Sequence, residues 1–164
     1  MTSLIRVLIA DDSSIMRRMI AQSLNSHTDF GSIDSAKDGA EAIEFFKSQK
    51  PDVILLDVEM PTVSGIEALK AIRELDKMIP VIMFGTNSPG SPGEREAAKT
   101  AGATDYVARP ANAGHIDTLL DYLQKQVVSR LLEWGTRSMQ RKCQKVSDCQ
   151  NKPGNSVRTD AGGA

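Results

Sequence analysis

The run Val53-Ile54-Leu55-Leu56-Asp57, bracketed by Pro51 and Pro61, constrains this chain more than any other stretch. Four apolar residues in a row between prolines suit a strand covered on both faces, as in a parallel sheet. Such a strand should not close on a charge, because a carboxylate held away from water is costly unless partnered. Asp57 stands there all the same. Met60-Pro61-Thr62-Val63-Ser64-Gly65 then breaks the strand pattern before a helical period starts. An acid at the carboxyl end of a buried strand, on the loop into a helix, occupies the position where open α/β sheets bind ligands.

The rest of the chain repeats one alternation. Residues 4–10 read as a first strand, ended by Asp11-Asp12-Ser13-Ser14. Ile15, Met16, Met19, Ile20, Ser23 and Leu24 follow at helical spacing, with Asp12 or Ser13 as the cap. A weaker strand falls near residues 31–36, and Asp38-Gly39-Ala40-Glu41 has the spacing of a capping box that opens a helix through about Lys47. Ser64-Gly65-Ile66-Glu67 is a second such box, with Ile66, Leu69 and Ile72 inward. Residues 80–84 make a fourth strand that runs into the turn formers of 85–90. Ser91-Pro92-Gly93-Glu94 opens another helix, stopped by Gly102, and residues 106–108 form a short fifth strand closed by Arg109-Pro110. A helix after Asn112 completes five βα units, which predict a parallel sheet with helices on both faces and right-handed crossovers.

That last helix is long. Ile116, Leu119, Leu120, Leu123, Val127, Leu131 and Trp134 recur at spacings of three and four, and Val128 and Leu132 widen the stripe. The period predicts a helix from about 112 to 132 or beyond, more than one face of a small sheet requires. Two readings stand open: the whole stripe is core, or the part past about Val127 projects and pairs with another chain. From Gly135 the period fades and Arg137, Arg141, Lys142 and Lys145 cluster, while residues 151–164 are rich in Gly, Asn and Ser and are expected to be disordered. The expected organisation is a compact domain over 1–125, an extension of the last helix with a basic segment over 126–150, and a tail over 151–164.

Charge follows the same division. Residues 1–110 carry 12 Lys and Arg against 16 Asp and Glu, so −4, and residues 111–164 carry 8 against 5, so +3. The basic segment has no aromatic platform or helix-turn-helix pair beside it, which argues against nucleic acid as a partner. The apolar run at residues 7–10 is too short for a signal peptide and meets Asp11-Asp12 at once. No window approaches the roughly 20 apolar residues of a membrane span, so a cytoplasmic protein without a membrane partner is expected. Cys143 and Cys149 lie far from His27 and His115, and reduced thiols fit them better than a disulfide or a zinc site.

Asp11 and Asp12 end the first strand and Asp57 ends the third. If these strands are neighbours, the three carboxylates converge on one edge and repel without a cation. A hard divalent ion with oxygen ligands resolves this, and Mg²⁺ suits a few carboxylates together with waters and phosphate oxygens. A carboxylate beside such an ion can act as a nucleophile toward phosphorus. Arg109, at the end of the fifth strand, would face the same edge and hold phosphoryl oxygens.

These residues together resemble the receiver domain of bacterial two-component response regulators, over roughly residues 3–125. Asp11-Asp12 match the family's acidic pair, Asp57 its phosphoacceptor, Met60-Pro61 and Gly65 the loop that follows, Tyr106 its switching aromatic, and Arg109-Pro110 its Lys-Pro. The stretches around Asp11, Asp57 and Pro80 are especially similar to the receiver of chemotaxis protein-glutamate methylesterases. The resemblance implies a flavodoxin-like (βα)5 fold of strand order 2-1-3-4-5, here with an extended C-terminal helix. It implies phosphoryl transfer to Asp57 from a histidine kinase, Mg²⁺ held by Asp11, Asp12, Asp57 and the Glu59 backbone carbonyl, and a switched face for an output protein or a second copy. Two positions depart from the pattern. The switch hydroxyl falls on Gly85, with Thr86 next in line to replace it, and the family lysine is Arg109, which is not interchangeable with it. A receiver fold kept as a non-phosphorylated scaffold is one alternative. The regulatory fragment of a methylesterase is the other, and the chain has no Gly-x-Ser-x-Gly elbow, so esterase activity would lie outside it. The enzymology expected of the chain alone is Mg²⁺-dependent self-phosphorylation and dephosphorylation.

Overall fold

The computed structural model describes residues 3–86, 92–110 and 114–150. Strands β1 (Ile5–Ala10), β2 (Phe30–Ala36), β3 (Val53–Asp57), β4 (Val81–Gly85) and β5 (Asp105–Ala108) form one sheet in the order β2-β1-β3-β4-β5. Every neighbouring pair is parallel. Helices α1 (Ser14–Asn25), α2 (Gly39–Gln49), α3 (Gly65–Leu75) and α4 (Pro92–Thr100) cross over between them. After β5 come α5 (Ile116–Tyr122), a π-helical segment (Leu123–Val128) and α6 (Ser129–Gln150), end to end.

The sheet sorts its side chains by the twofold period of a strand. Ile5, Val7 and Ile9 of β1 join Val53 and Leu55 of β3 and Ile82 and Phe84 of β4 beneath α1 and the C-terminal helix. Leu8 and Ala10, Ile54 and Leu56, and Val81 and Met83 face α2, α3 and α4 instead. All five β3 residues are buried, as a strand covered on both faces must be. The caps do what their sequences predict. Ser13 Oγ accepts from Met16 N–H, Asp38 from Glu41 N–H, and Ser64 and Glu67 complete a reciprocal box. At α2 only half the box forms, because Glu41 accepts from Lys37 N–H. Ser91 and Asn112, and the tail over 151–164, lie outside the described residues.

The C-terminal helix departs furthest from expectation. It runs to Gln150, well past the point where the apolar period fades, and it packs along the domain as far as Lys142, while residues 143–149 are exposed. Val127, Val128 and Leu131 are buried in the α1-side core, and Gly135 lies against Ile5. Ser138 is buried, Lys142 Nζ meets Asp52 Oδ1 at 2.5 Å, and Arg141 donates to the Met78 carbonyl at 3.1 Å. The helix therefore crosses the amino-terminal edge of its own sheet. Gln124 in the π segment ties this path to α1, donating to Ser23 O at 3.1 Å and meeting His27 Nε2 at 2.8 Å. The projection expected past Val127 is corrected for Val127, Val128 and Leu131, which the domain's own core buries, and small and polar residues at helical spacing carry the helix on over strand ends, where an apolar stripe is not required.

Candidate functional site

Register places the acids. Ala10 pairs with Leu56 across β1 and β3, so the next residues, Asp11 and Asp57, leave the sheet side by side at its carboxyl edge. Asp12 stands beside them, and one carboxylate oxygen from each of the three lies within 4.8 Å of the others. Asp11 and Asp57 are buried while Asp12 is exposed. Backbone donors hold the two buried groups: Ser13 N–H reaches Asp11 Oδ1 at 2.8 Å, and Glu59 N–H reaches Asp57 Oδ1 at 3.2 Å. Gly65 permits the close approach that shapes the β3 exit. A Cβ there would fall on the Asp57 carbonyl oxygen, and Gly65 N–H donates to Val58 O at 2.9 Å. Between them the loop closes a three-residue turn about Thr62, whose φ is 69°, with Val63 N–H on Pro61 O at 2.8 Å.

Arg109 enters from the end of β5. Its Nη2 lies 2.8 Å from Asp57 Oδ2 and also pairs with Asp11 Oδ2, while its guanidinium stacks 4.7 Å above the Phe84 ring. Arg17 holds the Asp11 carbonyl at 2.6 Å. Burial pushes the Asp57 carboxyl up to about 7, against the opposing pull of Arg109, and the Asp11 charge adds to the rise. Asp11 itself is raised, again by burial first. One guanidinium thus faces three carboxylates, which leaves the pocket short of positive charge. All-oxygen donors with excess negative charge fit a hard divalent cation.

The other candidates divide. Glu59 is exposed, and its N–H supports Asp57. Gly85 closes β4, one strand from Asp57, and Tyr106 lies on β5, two strands away, with its hydroxyl against Gly85. Thr86, the expected replacement hydroxyl, aims its Oγ1 at Glu94 Oε2 at 3.4 Å, on the α4 side. Three partners were not evident in the sequence. Glu94 takes the Tyr106 phenol, Asp52 takes Lys142, and Asp105 takes Arg130 Nε at 3.1 Å and Trp134 Nε1 at 3.4 Å. Only Asp52 had a visible signal, as a charge entering a fully apolar strand.

A five-stranded parallel sheet with a converged acidic cluster at its carboxyl edge is a receiver-class α/β architecture. The chain belongs to the response regulator receiver domain family, whose model matches residues 7–121. It is 38% identical over 126 residues to a protein-glutamate methylesterase/protein-glutamine glutaminase of Trichodesmium erythraeum (strain IMS101), covering 77% of this chain and 36% of that protein. Among solved structures it is similar to the response regulator domain of Thermotoga maritima CheB, at 36% identity and a TM-score of 0.66, over 84% of this chain and 98% of that one. Vibrio cholerae chemotaxis protein CheY4 matches at 33% identity and a TM-score of 0.61, over 76% of this chain and all of that one. The chain spans about a third of the length of the curated relatives it matches. No described helix is long and apolar enough to cross a membrane.

Proposed function

We propose that the chain is a phosphorylation-dependent signalling receiver that accepts a phosphoryl group on Asp57 from a histidine kinase. The observation that carries this is the buried Asp57 carboxylate beside Asp11, Asp12 and the Arg109 guanidinium. An Asp57 oxygen would attack phosphorus as the bond to the kinase's phosphohistidine nitrogen breaks, the nitrogen keeping the electron pair. Asp11, Asp12, Asp57 and the Glu59 backbone carbonyl would hold Mg²⁺, which when bound neutralises charge on the acids and the phosphoryl oxygens. Arg109 offsets part of the pocket's charge beforehand and, as Asp57 changes, follows the phosphoryl oxygens with its bidentate fork. Its movement carries the change to the end of β5 and so to a protein-binding face, read by an output protein or a second copy. A phosphohistidine donor and Mg²⁺ place this chemistry in the cytoplasm.

Acetyl phosphate with Mg²⁺ should add one phosphoryl group by intact mass, and Asp57→Asn should add none. A second reading, a scaffold that is not phosphorylated, is favoured by one observation: Arg109 already pairs with both buried acids. No mass increase in the unmutated chain selects the scaffold.

A further inference from the structure

We propose that Glu94 and the missing side chain at Gly85 latch Tyr106 inward, so that the α4–β5 face keeps one arrangement whatever the state of Asp57. Tyr106 is only 7% exposed although it lies on a short strand near the surface. Its phenol donates its one proton to Glu94 Oε2 at 2.8 Å, with the Thr86 carbonyl oxygen 3.0 Å away on the same side. The space for that phenol exists because Gly85 has no Cβ. A carbon there would collide with the Tyr106 hydroxyl, reach Val58 Cγ2 at 2.7 Å and stand 3.0 Å from Glu94 Oε2. Backbone ties keep β4 and β5 in register at this level, with Arg109 N–H on Gly85 O at 2.7 Å. Arg95, next to Glu94 on α4, lies 5.4 Å from the ring centroid.

The side chains of Glu94 and Tyr106 do not touch the acidic cluster, and the link from it to this place is the Arg109 backbone N–H on Gly85 O. A phenol donating to a carboxylate is a charge-assisted bond, shorter and stronger than a neutral one, and without Glu94 the hydroxyl keeps only the weaker neutral acceptor at the Thr86 carbonyl. Thr86 Oγ1 is turned to the same carboxylate. The hydroxyl that follows β4 thus points toward α4, and none of the contacts holding Tyr106 passes through Asp57. Glu94 is a positioning residue: it fixes the ring and, with it, the packing of α4 on β5. What a partner meets on this face is then set by the fold, and the response to Asp57 runs through Arg109 alone. The latch goes beyond the phosphoryl-transfer reading and stands without it.

The test labels the two tyrosines with 3-fluorotyrosine and assigns Tyr106 by comparison with Tyr122→Phe. In the unmutated chain the Tyr106 fluorine resonance should stay in place when acetyl phosphate and Mg²⁺ are added, with intact mass taken on the same sample. Glu94→Ala should move it to the position of a solvent-exposed tyrosine and speed amide exchange over residues 94–100 about tenfold. Glu94→Gln, which keeps an acceptor, should restore both. A resonance that shifts as the phosphoryl group is added overturns the latch, and so does a Glu94→Ala chain with unchanged resonance and exchange. If no phosphoryl group is added, the reading of Asp57 falls while Glu94→Ala still decides the latch.

Discussion

Arg109 Nη2 lies 2.8 Å from Asp57 Oδ2 and pairs at the same time with Asp11, so a single side chain from β5 spans two strands' worth of buried acid. Its own side chain is 21% exposed, while those of Asp11 and Asp57 are 1% and 4%. The cation can move into solvent; the carboxylates cannot. Arg109 therefore acts as a tethered counterion, and several consequences can be measured.

Removing it should be costly only when nothing replaces its charge. Arg109→Met in EDTA should lose about 3 kcal/mol of stability in urea, the range for breaking a buried pair from one side. Added Mg²⁺ should return a large part of that loss. Equal losses with and without Mg²⁺ would mean that Arg109 supports the fold through Phe84 packing and not through charge.

Asp57 should make the metal-free chain less stable as pH rises. Its carboxyl titrates near 7 in the folded chain against a reference of 3.8, so between those values the folded state holds the extra proton. Stability from this group is full below about pH 4 and is lost through pH 7, and Asp11, also raised, acts in the same direction. Denaturation in EDTA at pH 5 to 8 should show the decline, and Asp57→Asn should flatten it. A stability that climbs over this range in the unmutated chain contradicts the sign.

The Asp52–Lys142 pair predicts an asymmetry. Lys142 is half exposed and its loss to Ala should cost about 1 kcal/mol. Asp52→Ala should cost about 2 kcal/mol, because Arg6 N–H loses its acceptor at 2.9 Å as well. Thermal or urea melts of the two variants separate these values, and equal costs would remove Asp52 from its place as the anchor.

Truncation after Gln126 removes Val127, Val128 and Leu131 from the core and bares Ile5 and Val53. At about 2 kcal/mol for each of these three buried aliphatic side chains, the chain should lose about 6 kcal/mol and bind an apolar dye. A truncated chain that melts as before would return this segment to the role of a projecting arm.

Thr62 carries a φ of 69°, where a β-branched residue is strained. Thr62→Gly should raise stability by about 1 kcal/mol without altering the phosphoryl addition proposed for Asp57. A loss of stability would show that the Thr62 side chain holds the loop more than its backbone strains it.

Periodicity and capping made the alternation of strands and helices legible, because each depends on neighbours within a few residues. The apolar run ending in Asp57, the doublet Asp11-Asp12 and the boxes at Asp38 and Ser64 were readable for that reason, and the site acids followed from strand ends. Pairings between residues far apart in the chain were not. That Lys142 would seek Asp52, that the Glu94 carboxylate rather than the Thr86 hydroxyl would meet the Tyr106 phenol, and that Arg109 would bridge two acids all depend on which surfaces meet after the sheet closes. The path of α6 is the clearest case: its stripe weakens from Leu131 through Gly135 and Ser138 to Lys142, and only the strand ends beneath it turn those residues into a packed face.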